Sequence, residues 1–322
     1  MLTIGRLYGI LFACAQSTKN IKEIFMKKII SVVLIICTFA LIFAGCGAKA
    51  KNYELAIGVA VTDKAAKLSA DVTVASVVIA DGKIALCRID AISPSAKIEN
   101  DAIVGTESFQ SKAEQGDNYN MVAYGGAKSE WYVQAKFFEE YVTGKTLDEV
   151  KNVKTGDEAL VAGCTIDVAD FVIAITKAFE SDDKIAFTSA ADLTLGVAIT
   201  ASSAEKKGAV NLVYNTAATV IADGKVAAAV VDAGELSIAV ENGAGTTVTY
   251  AGSKLEQGDN YNMVAYGGSI SEWYVQAKTF AATAVGKTAA ELADLPVEGI
   301  AGCTIAVDPY KPALVNAGKY AR

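Results

Sequence analysis

The chain has 322 residues, of which 52% are hydrophobic and only 4 are proline, a composition typical of folded domains rather than of disordered chain. Residues 1–45 hold five Lys/Arg and one acidic residue, so the remainder has 24 basic and 35 acidic residues and a net charge of −11, which would repel nucleic-acid phosphates. There is no histidine, and none of the six cysteines forms a CxxC pair. These absences exclude Ser-His-Asp and Cys-His catalysis, His-ligated zinc and thioredoxin-like chemistry.

The N-terminal region predicts an export signal. Lys27-Lys28 precedes an apolar run from Ile29 to Phe43, and the small residues Ala44-Gly45 follow it. A basic segment, an apolar segment and small residues before a cleavage point are typical of a secretory signal peptide. We therefore expect residues 1–45 to be a signal peptide, with Met26 as the true start.

The end of this segment resembles the processing box of bacterial lipoproteins, in the run Phe43-Ala44-Gly45-Cys46. The resemblance implies that the Cys46 thiol is lipidated, that cleavage falls before it, and that residues 46–52 form a short tether. An uncleaved membrane helix is the alternative, but fifteen apolar residues would span only about 22 Å, short of a hydrocarbon core of about 30 Å. In both cases the rest of the chain is exported, and the lipidated form is held by the bilayer at the outer face of the cell membrane.

The strongest pattern in the sequence is an internal repeat. KAEQGDNYNMVAYGGAKSEWYVQAKFF, from Lys112 to Phe138, is identical to KLEQGDNYNMVAYGGSISEWYVQAKTF, from Lys254 to Phe280, at 23 of 27 positions. The offset of 142 residues falls to 139 near the C-terminal end. This period exceeds that of solenoid repeats, so we expect two domains with separate cores, a first copy over 53–182 and a second copy over 183–322.

Each copy is predicted to contain a β-hairpin. In the first copy the Val-rich, alternating segment from Asp71 to Ile79 meets the turn Asp81-Gly82 and continues as Ile84 to Ile89. The second copy repeats the pattern around Asp223-Gly224. Asp-Gly between two such segments is a strong hairpin signal.

Helices are predicted in the later part of each copy. In the first copy we expect a glycine-rich loop (116–126) and then a helix (130–142), with Ser129 as its N-cap and Gly144 beyond its end. Capping boxes at Thr146 and, in the second copy, at Thr288 are each expected to open a short helix. A last helix is expected near 169–179, and in the second copy Asp308-Pro309 marks its start. Strands followed by helices predict an α+β fold, built as two tandem copies of a small domain with an antiparallel sheet and helices.

Each copy resembles the FMN-binding domain found in the flavinylated subunit of the sodium-pumping NADH:quinone reductase and in surface electron-transfer lipoproteins. The shared features are a hairpin of the ADGKI type, a middle helix of the EWYxQA kind, a Gly-Lys-Thr stop, and Gly-small-Thr before a final helix. In that family the flavin phosphate is esterified to the last residue of the motif D-x-x-[Ser/Thr]-Gly-Ala-[Thr/Ser]. The resemblance implies attachment of FMN at Thr165 and Thr304, a flavin transferase that makes the bond, and a membrane electron donor.

The residue types around these threonines suit such chemistry. Gly163 and Gly302 would let the backbone approach the phosphate, and the helix that follows would offer it free N–H groups. Cys164 and Cys303 stand beside the threonines, and their apolar surroundings favour buried thiols over reactive ones.

Aromatic rings at matching positions could flank the flavin ring system. The candidates are Tyr119 and Trp131 in the first copy and Tyr261 and Trp273 in the second. Core packing is the alternative interpretation, especially for Trp131 on an amphipathic helix.

Two functions remain open from the sequence. In the first, the chain is an exported flavin carrier that passes electrons, with the chemistry supplied by FMN rather than by acid–base residues. In the second, it is a non-redox surface module that keeps the fold without flavin and binds a ligand or partner. Departures from the family motif favour the second function. Ala162 and Ala301 stand where the motif has Ser or Thr, and Cys164 and Cys303 stand where it has Ala. The acidic residue at the start of the motif is present only in the second copy, as Glu298.

Overall fold

The computed structural model describes residues 49–322, so the predicted signal peptide and Cys46 lie outside the described residues. The fold is α+β with antiparallel sheets, as predicted from the order of the elements. The strands are β1 (Lys51–Lys64), β2 (Ser69–Ala80), β3 (Lys83–Ile92), β4 (Lys97–Glu99), β5 (Ala102–Val104), β6 (Ile185–Ser189), β7 (Leu193–Lys206), β8 (Ala209–Ala222), β9 (Lys225–Glu241) and β10 (Ala244–Thr249). The helices are α1 (Lys112–Gln115), α2 (Met121–Gly125), α3 (Trp131–Val142), α4 (Leu147–Lys151), α5 (Ala169–Glu180), α6 (Lys254–Gln257), α7 (Met263–Gly267), α8 (Trp273–Ala282) and α9 (Lys311–Lys319). Short 3₁₀ turns lie at Ala65–Lys67, Gly116–Tyr119, Gly258–Tyr261 and Ala290–Asp294. None of these helices is long and apolar enough to cross a membrane.

Most strands belong to two four-stranded sheets, ordered β3-β2-β1-β6 and β10-β9-β8-β7, while β4 and β5 pair separately. The predicted hairpins are confirmed as β2–β3 and β8–β9. Asp81 and Gly82 have φ of 50° and 74°, and Asp223 and Gly224 have 50° and 75°. Positive φ at both central residues is the geometry that matches the twist of a two-residue hairpin, and Asp-Gly adopts it at low cost.

The first sheet ends on a strand that the sequence boundaries assign to the second copy. β6 pairs antiparallel with β1, and Leu55 lies opposite Ile185. The first sheet is therefore completed by residues beyond 182.

The two sheets face each other across a shared core. Buried residues of the first sheet, such as Leu55 and Val74, belong to the same cluster as Leu195 and Leu212 of the second. Alternate residues of the first sheet, such as Val77, face the opposite way and pack with α3 and α5 in a second cluster. Each sheet thus has one face against the other sheet and one face covered by its own helices.

Contacts between the two halves occur in matched pairs. Lys177 Nζ lies 2.9 Å from Glu256 Oε1, and Asn316 Nδ2 donates to Glu114 Oε1 at 3.0 Å. Because 316 follows 177 by 139 residues and 256 follows 114 by 142, the repeat relates these two contacts. The halves therefore meet with approximate two-fold symmetry.

The local predictions were right for most helices and wrong for some boundaries. The segment that Thr288 opens is a 3₁₀ turn at Ala290–Asp294, and the last helix begins at Lys311 rather than at Asp308-Pro309. Thr146 caps α4 through a complete capping box, as predicted. Ser129 does not cap α3: Glu130 is the N-cap residue, and its carboxylate accepts the N–H groups of Met121 and Val122 at 2.8 and 3.0 Å. The glycine-rich segment 116–126 is a 3₁₀ turn followed by α2 rather than a loop, because that carboxylate satisfies the amides at the start of α2.

Candidate functional site

The two candidate threonines are held in the same way by a buried glutamine. Gln134 Oε1 accepts Thr165 N–H at 2.8 Å, Thr165 Oγ1–H at 3.1 Å and Ile166 N–H at 3.2 Å. In the second copy Gln276 Oε1 accepts the corresponding groups of Thr304 and Ile305 at 2.6, 3.0 and 3.2 Å. Both threonines are exposed residues, and each hydroxyl is oriented by its hydrogen bond to the glutamine.

These glutamines were missed in the sequence. Gln134 and Gln276 are 1% and 0% exposed, and their amide nitrogens donate to the backbone oxygens of Ser129 and Ser271 at 2.9 and 2.8 Å. A glutamine at the same place on the apolar side of both middle helices was the available signal, since a buried amide needs several hydrogen-bond partners.

The two glycines before the threonines serve different local needs. A Cβ on Gly163 would lie 2.2 Å from the ring of Phe137, whereas Gly302 has φ of 83° and a Cβ there would meet only Thr279 Cγ2, at 3.8 Å. Thr279 replaces Phe137 in the second copy. Neither observation depends on a phosphate, so loop packing alone accounts for both glycines.

The cysteines beside the threonines are not reactive thiolates. Cys164 is fully buried, and burial raises its pKa to about 11. Cys303 is half-buried, and burial raises its pKa as well. Both groups stay protonated near neutral pH, which agrees with the buried-thiol interpretation.

The two tryptophans lie in the core. Trp131 is 5% exposed and meets Phe171 edge-on at a centroid distance of 5.9 Å. Trp273 is 1% exposed, meets Tyr310 edge-on at 5.6 Å, and donates its indole N–H to the Tyr310 hydroxyl at 3.1 Å. Core packing explains most of each indole surface.

The tyrosine candidates are more accessible and lie beside a lysine. Lys112 Nζ lies 5.5 Å from the ring centroid of Tyr119 and 5.8 Å from that of Trp131. Lys254 takes the same position at 5.0 Å from Tyr261 and 5.4 Å from Trp273. Each copy therefore presents a half-buried tyrosine and a cation over an aromatic pair.

A cavity of about 360 Å³ adjoins this group in the first copy. Its lining includes Lys112, Tyr119, Trp131 and Ile166, together with the carboxylates Asp71, Asp167 and Asp170. The repeat places Val213, Ala306 and Pro309 at the positions of these three carboxylates. The two copies thus share the threonine loop and the aromatic group but differ in charge beside them.

Two pairs of carboxylates at matching positions of the repeat have structural roles. Asp90 and Asp232 are 2% and 1% exposed, and each accepts two backbone N–H groups. Glu272 binds the amides at the start of α7 as Glu130 binds those of α2. None of these four arrangements places two carboxylates around a common space suited to hydrolysis.

Comparison with known proteins gives limited information. No family model matches the chain, and no solved structure matches it. A chlorophenol reductase from Desulfitobacterium hafniense is 40% identical over 52 residues, which are 16% of this chain and 16% of that protein. The chain therefore spans only a small part of that relative, and the likeness establishes no family.

Proposed function

We propose that the chain is an exported lipoprotein with two tandem FMN-binding-like domains, which carries electrons on flavin esterified to threonine. The observation that carries this proposal is the pair of exposed threonines, Thr165 and Thr304, whose hydroxyls are oriented by two buried glutamines at matching positions of the repeat. An oriented hydroxyl on an exposed residue suits a phosphoester acceptor. The likeness to a chlorophenol reductase is too short to add weight.

The groups around each threonine decide how well a flavin phosphate fits. In the first copy the amides of Thr165 and Ile166 already bond to Gln134, and Asp167 accepts the Ala169 N–H at 3.0 Å. These amides are not free for a phosphate, and the carboxylates Asp167 and Asp170 would repel it. In the second copy Ala306 and Pro309 take the places of these two carboxylates, and Asp308 is the acidic residue that remains in this segment. The repulsion beside Thr304 is therefore smaller, and Thr304 fits the modification better.

The chain's own contribution is to position the hydroxyl and the ring system. Bound FMN would supply the redox chemistry. Gln276 holds the Thr304 loop in place, and Tyr261 with Lys254 offers an aromatic and cationic surface near it. Burial lowers the pKa of Lys254, but Tyr310 and Tyr261 outweigh this and raise it, so the lysine is charged at neutral pH.

Co-expression with a flavin transferase tests the proposal. We expect the intact mass to rise by one FMN-phosphoryl group, with Thr304 modified before Thr165. Thr304→Ala should remove that mass without unfolding the protein, and Thr165→Ala is the matched control, with a smaller loss. Gln276→Glu should also lower the modified fraction, because a carboxylate beside the hydroxyl repels the incoming phosphate.

The second candidate is a flavin-free surface module that binds a ligand or partner. The observation that favours it is the acidic cavity of the first copy, which suits an uncharged or cationic ligand better than a phosphate. An unmodified mass, together with no yellow colour after incubation with free FMN, would contradict the flavin proposal and leave this one.

A further inference from the structure

The second copy contains a half-buried lysine surrounded by aromatic rings. Lys254 Nζ lies 5.0 Å from the ring centroid of Tyr261 and 5.4 Å from that of Trp273, and Tyr310 is a further polar neighbour of the ammonium group. Trp273 donates its indole N–H to the Tyr310 hydroxyl at 3.1 Å. We call these four residues the Lys254 group.

Lys254 has no carboxylate partner in the described part of the chain. Every salt bridge among residues 49–322 involves another cation. Partial burial takes hydration away from the ammonium group, and this costs free energy unless the charge is paired. The aromatic rings offset part of that cost through cation–π attraction. An anion bound to the ammonium group would offset more of it.

The corresponding lysine of the first copy is surrounded by acidic side chains. Lys112 lines the cavity of about 360 Å³ together with three carboxylates. The repeat keeps the lysine and replaces these carboxylates by uncharged residues, Asp71 by Val213, Asp167 by Ala306 and Asp170 by Pro309. The second copy therefore retains the cation without the carboxylates that share its cavity in the first copy.

Two acidic residues take other places in this part of the second copy, and neither forms a salt bridge with Lys254. Glu235 stands at the position of Ser93 and forms a salt bridge with Lys206. Asp308 precedes Pro309 and is an exposed residue. Lys254 is therefore the lysine of this surface that is left for an external anion.

The Tyr310 hydroxyl is a donor that the first copy lacks, because Phe171 stands at its position there. Tyr310 is 7% exposed, and its oxygen accepts the Trp273 N–H. Within residues 49–322, no acceptor receives the O–H of Tyr310 itself. Buried donors in proteins normally have an acceptor. An anion beside Lys254 would provide one.

The Lys254 group lies beside the Thr304 loop. Trp273 and Gln276 are three residues apart on α8, so they lie on the same face of the helix, and Gln276 accepts the Thr304 N–H at 2.6 Å. In the first copy, the residue that follows Thr165 lines the same cavity as Lys112. An anion bound by the Lys254 group would therefore lie close to the Thr304 loop.

We propose that Lys254, with the hydroxyls of Tyr261 and Tyr310, binds a phosphate monoester beside Thr304, and that the first copy has no equivalent site. In the flavin carrier this ligand is the phosphate of FMN, and that part of the inference rests on the proposed function. An ammonium group and two phenol hydroxyls together offer several donors to the phosphate oxygens.

Titration with FMN and with riboflavin tests this proposal, because riboflavin has the same ring system without the phosphate. The protein used carries no attached flavin, and binding is measured by flavin fluorescence and calorimetry. We expect FMN to bind at least about tenfold more tightly than riboflavin, as charge-assisted hydrogen bonds to a phosphate predict. Lys254→Met should weaken FMN binding at least about tenfold and leave riboflavin binding unchanged.

The first copy supplies the matched controls. Lys112→Met should leave the binding of both flavins unchanged. Tyr310→Phe gives the second copy the residue of the first, and should weaken FMN binding while the ring still packs on Trp273. If Lys254→Met fails to fold, Val213→Asp replaces it: this change restores the carboxylate that Asp71 supplies in the first copy, and should weaken FMN binding by repulsion.

Phenyl phosphate separates this inference from the flavin proposal. It should bind with the same dependence on Lys254 even if no flavin becomes attached to Thr304, whereas attachment is measured by the intact mass. Equal binding of FMN and riboflavin, FMN binding that Lys254→Met leaves unchanged, or no saturable binding of either phosphate ester would overturn the inference. None of these results changes what the intact mass says about flavin attachment.

Discussion

At the scale of single residues, two buried carboxylates stand out because their burial costs free energy when they are charged. Asp90 Oδ1 accepts the N–H groups of Ala91 and Ala113 at 2.7 and 3.1 Å, and so ties β3 to α1. Asp232 makes the equivalent contacts in the second half. Desolvation by burial raises the pKa of both carboxyl groups to about 7, although these hydrogen bonds lower it.

This shift predicts a pH-dependent stability. The folded-state pKa lies above the value of about 4 expected in the unfolded chain, so the folded protein holds the proton more tightly. Stability from each group is therefore lost as the pH rises from about 4 to about 7. We expect the free energy of unfolding to fall between pH 5 and pH 8 by on the order of 2 kcal/mol per carboxylate.

The double variant Asp90→Asn/Asp232→Asn should lose less stability over that range, because asparagine does not titrate. Each Asn Oδ1 can still accept both N–H groups, so the local structure is kept. Urea unfolding at several pH values measures the difference. Asp81→Asn, in the exposed hairpin turn, serves as the control and should keep the wild-type slope. Equal slopes for all three proteins would show that the two buried carboxylates are not the source.

At the scale of elements, the last helix of each half lies unusually close to its sheet. A Cβ on Gly58 would lie 2.2 Å from Ala174 O, and one on Gly196 would lie 1.8 Å from Ala317 O. Real Cβ atoms do not approach a carbonyl oxygen so closely, so glycine is what lets α5 and α9 pack directly on β1 and β7.

Gly196→Ala should therefore destabilise the protein, because α9 must move away from β7 to admit the methyl group. We expect a loss of about 2 kcal/mol or more, measured by urea unfolding. Gly125→Ala is the matched control: its Cβ meets nothing within 4 Å, and alanine is the better helix former at the end of α2. A similar loss from both substitutions would contradict the close-packing argument.

At the scale of the whole molecule, the two halves share a core. The sequence predicts that each copy folds alone, and that remains a prediction. The structure adds a reason to expect association, because the inner face of each sheet packs against the other. Ser203 strengthens the junction: its N–H donates to Thr106 O at 2.8 Å and its hydroxyl to Ser95 O at 2.7 Å.

We expect fragments 49–190 and 191–322 to form a one-to-one complex when co-expressed, and to aggregate or self-associate when separate. Size-exclusion chromatography with light scattering measures this. Fragments divided between residues 182 and 183 should form a weaker complex, because β6 then belongs to the C-terminal fragment and is separated from its partner strand β1. Two fragments that are each monomeric and folded, and that do not bind each other, would instead confirm two independent domains.

The predicted membrane attachment also belongs to the scale of the whole molecule. Cys46→Ala should release the protein from the membrane fraction or leave an unprocessed precursor, because the lipid acceptor is gone. Fractionation with immunoblotting measures both outcomes, and Cys37→Ala, within the predicted signal peptide, is the control. A Cys46→Ala protein that stays membrane-bound at the mature size would show that the lipoprotein interpretation is wrong.

The sequence alone determined the features that depend on neighbouring residues. Asp81-Gly82 fixes a hairpin because both residues tolerate positive φ, and Thr146 with Glu149 fixes a helix start because each satisfies the other's amide. The internal repeat also predicts that the central hairpin and the helices of the first half occur again, in the same order, in the second half.

Only the tertiary structure decided which distant residues meet. Gln134 reaches the Thr165 loop across 31 residues, and β6 joins the sheet of β1 across more than a hundred. The shared core could not be predicted either, because the sequence pattern of an apolar sheet face is the same whether that face packs against a helix or against a second sheet. The local hydrophobic periodicity predicts that one face of a strand is buried. Which element covers that face depends on the chain topology and on how the apolar faces of the two halves fit together.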